Sequence, residues 1–179
     1  MRRPACASLA LLALMSLATR GQVELKPFPS DWPHADQTLV DLSRFLDAPA
    51  GKGGFLRVEG AHLVRPDGTR FRFWGVNLCG PDCFPTHEDA DRLAGDLARL
   101  GVNLVRFHHM DSTWSRIFDR KYDDTQHLDA ESMDRLDYLV AVLAARGIYT
   151  DLNLNVGRHF KKGDGVRDYQ VLGYGKSAT

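Results

Sequence analysis

The chain has 179 residues, 44% of them hydrophobic and 26% charged, with 23 basic and 23 acidic side chains. That composition excludes a disordered polymer and suits one ordinary globular domain. A formal charge of zero gives no electrostatic footprint for a nucleic-acid partner or an anionic surface.

The N-terminus reads as a targeting segment. Arg2 and Arg3 precede the apolar run Ala5–Ala18, and Ser16-Leu17-Ala18 places small residues at the −3 and −1 positions. This is the pattern of a secretory signal peptide over residues 1–18, and it predicts a secreted or periplasmic protein. An uncleaved anchor is the alternative, but the run is shorter than the ~20 residues a spanning helix needs, so no membrane association is expected after cleavage. Cleavage removes Arg2 and Arg3 and leaves 21 basic against 23 acidic residues. Cys79 and Cys83 then remain. A C-x-x-x-C pair in an exported chain can oxidise, but alone it points to neither a disulfide nor zinc.

Residues 19–54, punctuated by Pro27, Pro29, Pro33 and Pro49, read as an irregular arm with room for a short helix over Thr38–Leu46. Order is expected from Phe55, over residues 55–179. Phe55–Val58 and Ala61–Val64 are short strand candidates. Arg65-Pro66-Asp67-Gly68-Thr69 is a turn, because Pro presets φ and Gly tolerates positive φ. Arg70–Trp74 returns as a strand, with Trp74 expected in the core, and Gly75–Leu78 follows as a more buried one.

Thr86–Leu100 is an amphipathic helix with Thr86 as its cap and Asp89 three residues on. Ala90, Leu93, Ala94, Leu97 and Ala98 share one face. Gly101 ends it and Val102–Phe107 is the next strand. A long connection, 109–128, leads to a second helix, Asp129–Arg146, stopped by Gly147. Ile148–Leu154 is a third strand, and 155–179 shows no clear element. Strands alternating with helices argue for a parallel sheet, either doubly wound or a (β/α)8 barrel. In both, the longer strand-to-helix loops gather at the C-terminal strand ends, where ligands bind. A nucleotide fold would need a glycine loop after its first strand. Cys79-Gly80-Pro81-Asp82-Cys83 is not one, and Gly175-Lys176-Ser177 lacks the rest of a P-loop.

The stretch Leu100–Asp111, LGVNLVRFHHMD, is where chemistry is expected. A buried strand should not carry a guanidinium such as Arg106 without a partner. His108, His109 and Asp111 follow directly. A metal site is one reading of these three, although adjacent histidines at a strand end point in different directions. Trp114, in the long loop, is a candidate stacking platform.

The strings FLRVEGAHLVRPDGTRFRFWGVN (Phe55 to Asn77), GVNLVRFHH and RGIYTDLNL resemble the start of secreted, cellulase-like glycoside hydrolases of the family 5 type, in the clan of retaining β-glycosidases. The resemblance covers about residues 55–160. It implies an α/β fold, the N-terminal part of a (β/α)8 TIM barrel, with about three βα units preceded by a β-hairpin. It implies a β-glycan substrate and no cofactor. Arg106 matches the family arginine that orients the nucleophilic carboxylate, a role suited to a permanently charged side chain. Asn77, His108, His109, Trp114 and Asn153 are the implied sugar contacts. Asn153 stands where many members carry a histidine, a departure from the pattern. Asn77 and Asn155 have strand-end capping as the alternative role.

The resemblance also marks what is missing. Retaining hydrolysis takes two carboxyl groups about 5–5.5 Å apart, and in this clan the acid/base glutamate follows an asparagine. No Asn-Glu pair occurs in the chain, and Glu59, Glu88 and Glu131 fall in a turn and in helices. Asp111 and Asp151 lie nearer the right places, with Asp151 expected to be structural. The chain is therefore expected to be an N-terminal fragment, about 160 residues after cleavage against ~250 for a barrel, and inactive alone. The competing expectation is a non-catalytic carbohydrate-binding or structural domain on the same barrel start.

Overall fold

The computed structural model describes residues 41–172. The expected leader, most of the N-terminal arm and the Gly175-Lys176-Ser177 segment lie outside the described residues. The chain divides after Asp31, and everything described belongs to the second unit, Trp32–Thr179.

The first sheet among the described residues is three-stranded and antiparallel: β1 (Arg57–Glu59), β2 (His62–Val64) and β3 (Arg70–Phe71). Leu63 pairs with both Val58 and Phe71. The turn between β2 and β3 forms as its residues dictate. Asp67 Oδ1 accepts the N–H and the hydroxyl of Thr69 at 2.9 and 2.7 Å, and Gly68 takes φ +83°. Phe71 and Phe73 pack edge-to-face on each other and on Tyr149, with centroids 5.0–5.8 Å apart. Trp74 is not the core residue expected, being 69% exposed. Phe71 and Phe73 make this contact in its place.

A parallel sheet follows: β4 (Gly75–Cys79), β5 (Leu104–His108) and β6 (Tyr149–Leu152), with β5 in the middle. Helices α1 (His87–Arg99) and α2 (Ala130–Ala145) make the two crossovers that parallel pairing demands. Thr86 caps α1, its hydroxyl accepting the Asp89 N–H while the Asp89 carboxylate takes the Thr86 hydroxyl proton. Asp129 caps α2 through the Ser132 N–H. Both helices stop in the same way. Gly101 and Gly147 adopt positive φ, and Val102 and Ile148 donate back to Leu97 and Leu143, each at 3.0 Å.

These caps explain why the strands are shorter than the apolar runs suggest. Val102 and Ile148 close helices rather than open strands. Asn103 is a staple: its side chain accepts the Trp74 N–H at 2.7 Å and donates to the Arg72 carbonyl at 2.9 Å. That takes the backbone of residues 72–74 out of β3. The arm's short helix is a single 3-10 turn, Ser43–Phe45. Further 3-10 turns cover Gly80–Cys83, Lys162–Asp164 and Tyr169–Val171, the last two inside a stretch expected to be featureless.

Strand alternation divides the parallel sheet into two faces. Val105 and Phe107 are fully buried beneath both helices, in a core with Ala94, Leu97, Leu136, Leu139, Leu143 and Ile148. The opposite face carries Asn77, Arg106, Asp151 and His108. The long connection after β5 folds back on itself, with Phe118 bridged to Leu128 and Asp129 donating to the Ile117 carbonyl at 2.8 Å. Among the described residues no helix is long and apolar enough to cross a membrane.

Candidate functional site

The parallel register builds the site. Asn77 is paired with Arg106 and Arg106 with Asp151, so these three form one row across the open face. Two residues further along each strand, Cys79 is paired with His108, and Asn153 follows β6 beside them. Every member of both rows is polar or a thiol, at the C-terminal end of the sheet.

Arg106 is not the buried guanidinium the apolar strand suggests. Its side chain is half-buried on the open face, with Nε 3.8 Å from Asp151 Oδ2. A pair this long and this exposed contributes little to stability, which leaves both groups available to a ligand. Asp151, expected to be structural, is therefore the carboxylate nearest the candidate arginine.

His108 Nδ1 lies 3.0 Å from Asn153 Oδ1. An amide oxygen only accepts, so Nδ1 carries the proton and a neutral His108 keeps its Nε2 lone pair free for another donor. Asn153 thus orients the His108 ring. His109 adopts φ +57°, which turns its ring edge-on to His108 at 4.2 Å and its Nδ1 to Ser112 Oγ at 2.8 Å. The positive φ of His109 thus keeps the two rings in edge-to-face contact, where adjacent strand residues would point to opposite faces. Trp114 stands 5.7 Å from His109 and is 47% exposed. Its indole lies against Gly80, where a Cβ would fall 1.7 Å from the ring. The loop residue expected as a platform is therefore seated by a glycine at the end of β4.

Asp111 is committed elsewhere. Both its oxygens accept backbone N–H groups, Val156 at 2.7 Å and Gly157 at 3.0 Å, latching the loop after β5 to the loop after β6. A second latch is Asp164, which takes the Thr125 N–H and hydroxyl and the Lys161 N–H at 2.7–2.9 Å. Burial alone would raise the Asp164 carboxyl. Those donors, with Arg158 nearby, outweigh it and hold the group below the usual carboxylate range. Among the described residues no group of three or more His, Cys, Asp or Glu is placed to hold a metal ion. Cys79 and Cys83 are both free thiols. Burial pushes Cys83 up to about 12, making it an inert thiol.

The structure thus brings Asn77, Arg106, His108 and Asn153 together and sets His109 and Trp114 at one end of them. It adds Asp151 and Cys79, which only the strand register could have placed there. Beside Trp114 opens a cleft of about 690 Å3 between the 3-10 turn at Gly80–Cys83, the long loop and the start of α2. A smaller cavity of about 200 Å3 lies under the same loop.

No family model matches the chain, and no curated protein matches it. Among solved structures, an endo-1,4-beta-mannanase from Rhizomucor miehei is similar over 58% of this chain and 30% of that one, at 20% identity and a TM-score of 0.47. The chain therefore spans less than a third of that enzyme's length. A likeness at this level bears on neither activity nor substrate.

Proposed function

We propose that the chain forms the opening βα units of a glycoside-hydrolase-type (β/α)8 barrel, of the cellulase-like family 5 kind, and that its open face holds a β-linked glycan. The observation that carries this reading is the pair of polar rows, Asn77–Arg106–Asp151 and Cys79–His108–Asn153. A doubly wound sheet buries both faces under helices, and its strands are apolar throughout. Here one face is packed under α1 and α2 while the other presents hydrogen-bonding groups at the C-terminal strand ends, the position of a barrel's site. Sugar hydroxyls both donate and accept, and the rows offer both: amides, a histidine lone pair, a guanidinium and a carboxylate.

In this reading Arg106 orients a carboxylate, and His108, positioned by Asn153, takes a hydroxyl. His109 and Trp114 border the sugar. The hydrolytic carboxyl pair belongs to other strands of such a barrel, and the chain's own part is to bind and orient. A non-catalytic carbohydrate-binding domain is the second reading, favoured by the pairing of the face's carboxylate, Asp151, with Arg106. The leader at residues 1–18 fits secretion or export to the periplasm.

The test is an NMR titration of the whole chain with cellotriose and mannotriose. Shifts concentrated at Asn77, Arg106, His108 and Asn153, and lost in Arg106→Met, are the expected result. Saturating sugar with no change at these residues would sink the reading.

A further inference from the structure

The polar rows leave the smaller cavity unexplained. Ser115 is 5% exposed, and its hydroxyl is the buried side-chain group left without a hydrogen bond among the described residues. It stands in the cavity wall with Arg120 and Lys161. A buried hydroxyl without a partner is costly, and such a group commonly marks a missing ligand or water.

The charges around it favour an anion. None of the ion pairs among the described residues uses Arg120 or Lys161. Lys161 gives one N–H to the Tyr122 carbonyl at 3.1 Å and has two more to give. Asp111 shares the wall, each of its oxygens accepting one backbone N–H, from Val156 and Gly157, and its charge is set against the two cations Arg120 and Lys161. The Thr125 hydroxyl is held between Arg158 and Asp164. Ser112 (held by His109), Thr113 and His159 complete the polar wall, and the cationic donors beside the unpartnered Ser115 hydroxyl are Arg120 and Lys161. Arg120 also lines the larger cleft, with Arg116, Lys121 and the Trp114 ring. The acids of that cleft are engaged as well. Asp119 accepts the Lys121 N–H, Asp129 caps α2, and Glu131 pairs with Arg135.

We propose that the smaller cavity binds the carboxylate or sulfate group of an acidic sugar residue, held by Ser115 and Arg120, with the rest of the glycan lying along the Trp114 cleft. The glycan part rests on the proposed function; the anion chemistry does not. It names the substrate class as an acidic rather than a neutral β-glycan.

The test is calorimetric titration of the whole chain with three probes: a β-linked, glucuronate-bearing oligosaccharide, cellotriose and inorganic sulfate. Arg120→Gln, at an exposed position, should weaken the acidic oligosaccharide about tenfold, the loss of one charge-assisted hydrogen bond. It should weaken cellotriose much less, so that the preference for the acidic probe over the neutral one falls. Ser115→Ala, nearly isosteric, should weaken the acidic probe with an unaltered circular dichroism spectrum. The acidic affinity should fall with added salt. Equal affinity for acidic and neutral sugars, untouched by Arg120→Gln, would overturn the inference while the glycan reading stands. Arg120-dependent sulfate binding with no response to either sugar would keep the anion site and defeat the glycan reading. Binding of no probe at all would overturn the site as well.

Discussion

Gly157 shows how closely the site depends on single residues. A Cβ there would fall 2.0 Å from Ser112 Oγ, the atom that holds His109 Nδ1. The Gly157 N–H is also one of the two donors to buried Asp111. Gly157→Ala must therefore push Ser112 off His109 or lift the loop from Asp111, and overpacking of this kind costs about 1–3 kcal/mol. Urea unfolding should show that loss, and Ser112→Ala in the same chain should recover part of it, because the clashing oxygen is gone. Equal stability of Gly157→Ala and the parent would mean that the two loops are not latched here. Asp111 had the look of a site residue because it follows two histidines. Its partners are backbone N–H groups some 45 residues further on, and main-chain donors leave no signature in a sequence.

The elements themselves were readable to different degrees. Thr86, Asp129, Gly101 and Gly147 mark both helices because caps and left-handed glycines have residue-specific chemistry. Strand ends were not readable, since Val102, Ile148 and Asn103 are apolar or strand-like in pattern yet serve helix closure and a staple. Arg106, His108 and Asn153 stand out in the sequence as candidates, but the pairing of Arg106 with Asp151 depends on register, which neither strand encodes alone. The loop after β6 was blank in sequence, yet it is organised around Asp164. That group's depressed pKa fixes the sign of its pH dependence. A carboxyl held below its usual value of 3.8 binds fewer protons folded than unfolded, so its contribution is fully present above about pH 4 and is lost as pH falls through the folded value. Hydrogen exchange should show residues 158–165 opening early in an acid titration, and Asp164→Asn should remove that dependence at the cost of weaker protection at pH 7. A loop whose protection is level from pH 7 to pH 2 would contradict the role given to Asp164.

Across the molecule, chemistry is sorted by position on one small sheet. Phe71, Phe73 and Tyr149 pack the hairpin at the strands' N-terminal ends, α1 and α2 cover one face, and hydrogen-bonding groups fill the C-terminal ends of the other. Among the described residues the carboxyl groups are not arranged as the pair that the proposed chemistry of such a barrel would use. Retaining hydrolysis needs an acid/base and a nucleophile about 5–5.5 Å apart. On the open face the carboxylate in reach is Asp151, and it faces Arg106. Asp111 is buried with both oxygens bonded. Glu59 lies in β1, while Glu88 and Glu131 lie in the first turns of α1 and α2. The chain incubated with p-nitrophenyl β-glycosides or with a β-glucan should release no product above the buffer rate, and Asp151→Asn should leave that result unchanged while weakening sugar binding. Turnover by this chain that Asp151→Asn abolishes would make Asp151 catalytic and overturn the proposal that these strands bind and orient without cutting.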